Sequence, residues 1–274
     1  MRRVAMVEPG KIFEQLHSEF FAALEACRVR PEPKAVHRLR TTTRRLEALL
    51  TTAKRRRDGG TRLARKIDEA LKALKPVRGA AGPVRDMDVQ MGLLEGLVKA
   101  AGIELPAADR GDLEAAGEKL GAKLQKSRTE AAKELGRVIL GAEMKELQRL
   151  SLLQTELSEV KWTSLLKDAM AIEKRSAGRL ETGDPESLHA YRKRSKFSRY
   201  LAEMEEGSAP AERFAKGMKK VLDAIGAWHD WMLLTQLARE TIGKSWALVR
   251  ALKEEREGAL RRAVGAVERL HRQA

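Results

Sequence analysis

Two rows of basic residues, each opened by a histidine, are where this 274-residue sequence could do chemistry. The first is His37, Arg40 and Arg44 with Arg45 beside it; the second is His189, Arg192, Lys196 and Arg199 with Lys193 beside it. At about 100° per residue, steps of three and four place each row on one face of a helix. Arg55 returns to the face of the first row about five turns later. A guanidinium forks two N–H bonds onto phosphate oxygens, an ammonium supplies a mobile point charge, and a histidine gains positive character beside a bound anion. Such faces suit a ligand with regularly repeated negative charge. A single small phosphate ester is more commonly met by a glycine-rich loop at a helix N-terminus, and no G-x-x-x-x-G-K or G-x-G-x-x-G pattern occurs.

The elements that must hold these rows are read as helices. Ala, Leu, Lys, Arg and Glu dominate, Pro numbers only 8, and no segment alternates apolar and polar residues with β-branched or aromatic content. The fold class is therefore all-α. Helices are expected over 10–28, 34–57, 62–78 and 84–101, with a turn at 58–60, Thr61 as an N-cap and interruptions at Gly79, Gly82 and Pro83. After a break at Gly102 and Pro106, a charged helical stretch covers 109–153, interrupted near Gly141. Further helices are expected over 161–180, 186–205, 212–225, 227–241 and 245–272, with breaks at 183–185, 207–210 and Gly226. In the helix over 34–57, Val36, Leu39, Leu46, Leu49 and Leu50 lie opposite the cations, so that helix packs through its apolar residues.

One basic row on one helix is an ordinary solvent face; its recurrence is what points to a ligand. His37, Leu39, Arg40 and Arg44 fall on His189, Tyr191, Arg192 and Lys196 at a shift of 152. Lys72, Lys75, Val77, Gly82 and Asp86 fall on Lys216, Lys219, Val221, Gly226 and Asp230 at a shift of 144. Two similar helical units in tandem, 8–156 and 157–274, explain both series. In the matched helices Lys72 lies opposite Ile67, Leu71 and Leu74, and Lys216, Lys219 and Lys220 lie opposite Phe214, Met218, Val221 and Leu222.

Charge and cysteine content narrow the classes. The net charge of +15 is concentrated: residues 28–85 hold 18 basic and 5 acidic side chains, the rest of the chain 36 and 34. Packing like charge together costs self-repulsion that a polyanion relieves. Cys27 is the only cysteine, so no internal disulfide is expected, and no apolar run approaches a membrane span. A soluble, cytoplasmic protein is the expectation. The five histidines show no i, i+4 ligand pair, and their arginine neighbours repel cations, so neither a metal nor another cofactor is expected. Asp86, Asp88 and Asp230 are read as carboxylates at helix starts that orient nearby basic side chains. A nucleic-acid backbone is the alternative polyanion, although aromatics at 4% provide no stacking platform.

The segments VHRLRTTTRRL at 36–46 and LHAYRKRSKFSRY at 188–200, with GPVRDMD at 82–88 and GAWHD at 226–230, resemble the twin signatures of the CHAD family, the conserved histidine α-helical domain. The resemblance runs from about Gly10 to the C-terminus. It implies two four-helix bundles related by pseudo-twofold symmetry around a basic groove or pore that binds inorganic polyphosphate without catalysis, as a stand-alone domain that could associate with polyphosphate granules. By motif match, His37, Arg40, Arg44 and Arg45 would line the groove from one half and His189, Arg192, Lys196 and Arg199 from the other. Arg85, His229, Lys193 and the matched lysines at 72, 75, 216, 219 and 220 complete the expected set. Glu47 and Phe197 stand where the family commonly has basic residues, a departure that bears on how evenly the halves contribute.

Overall fold

The structure, a computed structural model, describes residues 8–56, 60–104, 107–141, 147–160, 162, 164–243 and 246–272. Expectations that fall on 57–59, 105–106, 161 and 245 lie outside the described residues. Among those described there are nine α-helices and no strand: α1 Pro9–Val29, α2 Pro33–Arg55, α3 Gly60–Glu104, α4 Ala107–Leu140, α5 Leu153–Ser158, α6 Leu165–Ala177, α7 Pro185–Glu203, α8 Ala209–Ile242 and α9 Trp246–Arg272. The all-α reading holds, and α4 ends just before Gly141 as expected.

The expected breaks at Gly79, Gly82 and Pro83 are not breaks, because α3 continues through all three and also through Pro76. An interior proline loses a backbone hydrogen bond and costs about 3 kcal/mol. Burial offsets this: Val77, Ala81 and Val84 are fully buried on the core side of α3, while Pro83 is exposed on the other. Gly226 likewise lies inside α8 rather than between two helices. Nor does Thr61 cap α3. The helix starts at Gly60, whose φ of 64° lies in the left-handed region that only glycine adopts freely.

Two hydrophobic cores form, and each draws on both halves of the chain. The first packs Phe13 and Phe20 of α1 with Leu39, Leu46, Leu49 and Leu50 of α2 and with Ile67 and Leu74 of α3. Leu165 of α6 and Tyr200 and Leu201 of α7 join it. The second packs Leu94 and Leu97 from the far end of α3 with Leu113 and Leu120 of α4, Leu188 and Tyr191 of α7, Trp228 and Trp231 of α8, and Leu252 of α9. The long helix α3 and the helix α7 thus run through both cores. Between the cores α2 packs on α7 and α3 packs on α8, which brings the two basic rows face to face.

The register of α7 is set at its first turn. Asp184 accepts hydrogen bonds from the backbone N–H groups of Glu186 and Ser187, both at 3.0 Å, and Pro185 occupies the first helical position. Asp184→Ala removes both bonds and should lower unfolding stability by about 1 kcal/mol, read as a lower denaturant midpoint at unchanged slope.

Candidate anion-binding site

The basic row of α2 does not face open solvent. Leu39 and Leu46 on one side are fully buried, while Arg40 and Arg44 on the other are only 24% exposed, because α7 lies across them. From α7, Arg192, Lys196 and Arg199 face back. The consequence is a dense group of cations with few anions among them.

Two glycines explain how these guanidiniums fit between the helices. A Cβ on Gly82 would lie 3.3 Å from Nη1 of Arg40, and a Cβ on Gly226 would lie 2.8 Å from Nη2 of Arg192. Each arginine therefore lies across a neighbouring helix at a residue without a side chain. One turn further along each helix stands a carboxylate. Asp86 comes within 4.0 Å of Arg40, and Asp230 is the acid that acts most strongly on Arg192. The acids are thus mid-helix partners of the arginines, not the helix-start carboxylates expected from the sequence. Arginine, glycine and aspartate form the same trio twice, at the offsets of 152 and 144.

Electrostatics record the crowding. Burial first, then the fields of Arg192, Arg40, Arg44 and Arg199, bring the Lys196 ammonium down to about 7. Burial, then Arg85, Arg40 and Arg199, lowers His37. Burial, then Lys193, Arg192 and Lys196, lowers His189. The His229 ring stacks on His189 at 4.2 Å between centroids, and burial followed by the field of His189 holds it at about 4. Asp230 moves upward on burial even though Arg192 pulls it the other way. His37, Arg40, Arg44, Arg85, His189, Arg192, Lys193, Lys196, Arg199 and His229 are therefore one coupled electrostatic group drawn from α2, α3, α7 and α8.

Other candidates sit elsewhere. Arg45 donates to Glu203 at 3.0 Å and borders a recess that also holds Glu8, Glu19, Glu205 and Glu206. Lys72, Lys75, Lys216, Lys219 and Lys220 are exposed, and Lys219 pairs with Asp223 one turn on. Sequence reasoning missed Arg78. It pairs with the buried Glu47, which also lies 3.6 Å from Arg44, so Glu47 draws two arginines inward. Four residues separate Arg78 from Gly82, and that same-face spacing was the available signal. Among the described residues, no group of three or more His, Cys, Asp or Glu side chains could hold a metal ion, and no helix is long and apolar enough to cross a membrane.

Lys196 gives the free protein a pH signature. Its ordinary value is 10.5 and its folded value about 7, so between the two the unfolded chain holds a proton that the folded protein has shed. Stability of the free protein should rise as pH climbs from about 7 to about 9, and Lys196→Met should flatten that rise. Chemical denaturation across this range measures both. The groups facing Lys196 are His189, Arg192 and Arg199 on its own helix, Arg40 and Arg44 on α2, and His229 and Asp230 on α8.

The model of the CHAD domain matches residues 11–239. Among solved structures, the chain is similar to PptA from Streptomyces chartreusis, with 18% identity, a TM-score of 0.67 and 97% of each chain covered. It is also similar to the CHAD domain from the plant Ricinus communis, with 17% identity and a TM-score of 0.62, over 96% of this chain and 90% of that one. Comparison with curated proteins gives no match. At these identities the structures speak to the fold alone. The family match, however, takes in both basic rows and both Arg–Gly–Asp trios, and by it the chain belongs to the CHAD family.

Proposed function

We propose that this protein binds inorganic polyphosphate, without turning it over, along the cluster formed by the basic rows of α2 and α7. The observation that carries the reading is the convergence of the two rows on one another: Arg40 and Arg44 of α2 meet Arg192, Lys196 and Arg199 of α7, where burial first and the neighbouring arginines second bring the Lys196 ammonium down to about 7. A ligand with a negative charge at every repeat relieves that repulsion along its whole length. The carboxylates beside the cluster are occupied with its arginines, Asp86 with Arg40, Asp230 with Arg192, Glu47 with Arg44 and Arg78, and Glu203 with Arg199, which fits a role in holding cations rather than in phosphoryl transfer. Membership of the CHAD family supports the same ligand class.

Competition between long-chain polyphosphate, DNA and RNA at equal phosphate concentration across a salt series tests the reading. Polyphosphate should win at every salt concentration; equal retention of nucleic acid would overturn the assignment. Incubation with polyphosphate, with and without Mg²⁺ or Mn²⁺, should release no orthophosphate.

Protonation should be linked to binding. A bound polyanion restores the Lys196 proton, so affinity should strengthen as pH falls from about 8 to about 6, with net proton uptake seen by calorimetry in buffers of different ionisation enthalpy. Lys196→Gln should remove most of that uptake.

Gly226→Ala separates function from stability. Alanine favours a helix by about 1 kcal/mol over glycine, so Tm should hold or rise. The new methyl displaces the Arg192 guanidinium, and polyphosphate affinity should fall roughly tenfold, the order of one charge-assisted contact.

A further inference from the structure

Beside the cluster, α2, α6 and α7 enclose a groove of about 450 Å³ that extends past the two basic rows to arginines on and just beyond α6. Its rim carries Arg55 from the end of α2, Arg175 from α6, Arg179 just beyond α6, and Arg194 from α7. No acidic side chain lines it, and none of these four arginines takes part in an ion pair among the described residues. By contrast, Arg56, one residue from Arg55, is paired to Asp168, and Arg45 to Glu203. The Nε of Arg194 is buried without a hydrogen-bond partner. The floor is formed by Ile172 and Phe197 with the hydroxyl-bearing Thr51, Thr52 and Ser176.

Two residues join this groove to the central cluster. Arg44 lines the groove and also acts on Lys196. Lys193 lines it too, and on its other side borders the recess that holds His189 and His229. The cationic surface is therefore continuous from the histidine pair, past Lys193 and Arg44, to Arg175 and Arg179. We propose that the groove between α2, α6 and α7 is a second binding segment for the same polymer, through which a phosphate chain longer than the central cluster continues outward. This rests on the polyphosphate reading above. It makes the protein selective for long chains, since a short chain is satisfied by the cluster alone.

The test uses the full chain with two ligands, tripolyphosphate and long-chain polyphosphate. Arg175→Glu with Arg179→Glu, both exposed and away from the cores, should weaken the long chain at least about tenfold and make its salt dependence shallower by roughly one to two in slope. Tripolyphosphate affinity should change less than about twofold. Lys119→Glu with Lys123→Glu, exposed on α4, carries the same change in net charge and should leave long-chain affinity near that of the unaltered protein. Arg55→Glu, from a different helix of the groove, should reproduce the long-chain effect. If the groove variants bind both ligands like the unaltered protein while Lys196→Gln weakens both, the second segment is wrong and the central site stands. If the α4 variant loses as much as the α6 variant, net charge and not the groove governs binding, and the proposal falls. If the unaltered protein binds neither ligand, the polyphosphate reading fails and takes the groove with it.

Discussion

Everything at the centre of this molecule depends on forcing cations together against their mutual repulsion. Unpaired charges cost free energy when water is withdrawn, and Lys196 shows the size of that cost by losing its proton near neutrality. The force that holds the arrangement is apolar. The leucines behind Arg40 and Arg44 are fully buried, as are Leu188 and Leu201 on α7, so the helices cannot separate to relieve the charge without exposing both cores. Hydrophobic packing thereby stores an electrostatic strain that an anion can discharge.

The two halves solve the same problem with different parts. Both place an arginine over a glycine and a carboxylate one turn on, but the histidine of the second half stacks on His229, where the matched position of the first half is Arg85. Glu47 adds a further inequality. Buried beside Arg44 and Arg78, it neutralises part of the first row, and the second row has no acid of that kind at the matched position, Arg199. On the second row the acid stands one turn beyond that position, where Glu203 lies 3.3 Å from Arg199, and Lys196, brought down to about 7 by burial and its arginine neighbours, lies on the same row.

Much of this was legible in the sequence. Helical spacing found both rows and the leucine face, and the two fixed offsets matched Arg40 with Arg192 in one series and Gly82 and Asp86 with Gly226 and Asp230 in the other, without joining the series into trios. The glycines were misread because a lone Gly or Gly-Pro ordinarily marks a break. Here Gly82 and Gly226 are spaces for another helix's side chain, and only tertiary packing distinguishes the two uses. The carboxylates were misplaced for the same reason, since Asp86 and Asp230 cap nothing once α3 and α8 are continuous. The groove along α6 was invisible because Arg175 and Arg179 belong to no repeat; they acquire meaning from the helix they lie against.

The continuity of α3 has a consequence for how the protein comes apart. Its first half lies in one core and its far end in the other, so neither core can open without breaking a helix the other is holding. A chain built from a duplicated plan would ordinarily unfold in two steps, one per copy. This one carries a shared spine, for α3 joins the two cores as one uninterrupted rod, and opening either core strains the helix that the other holds.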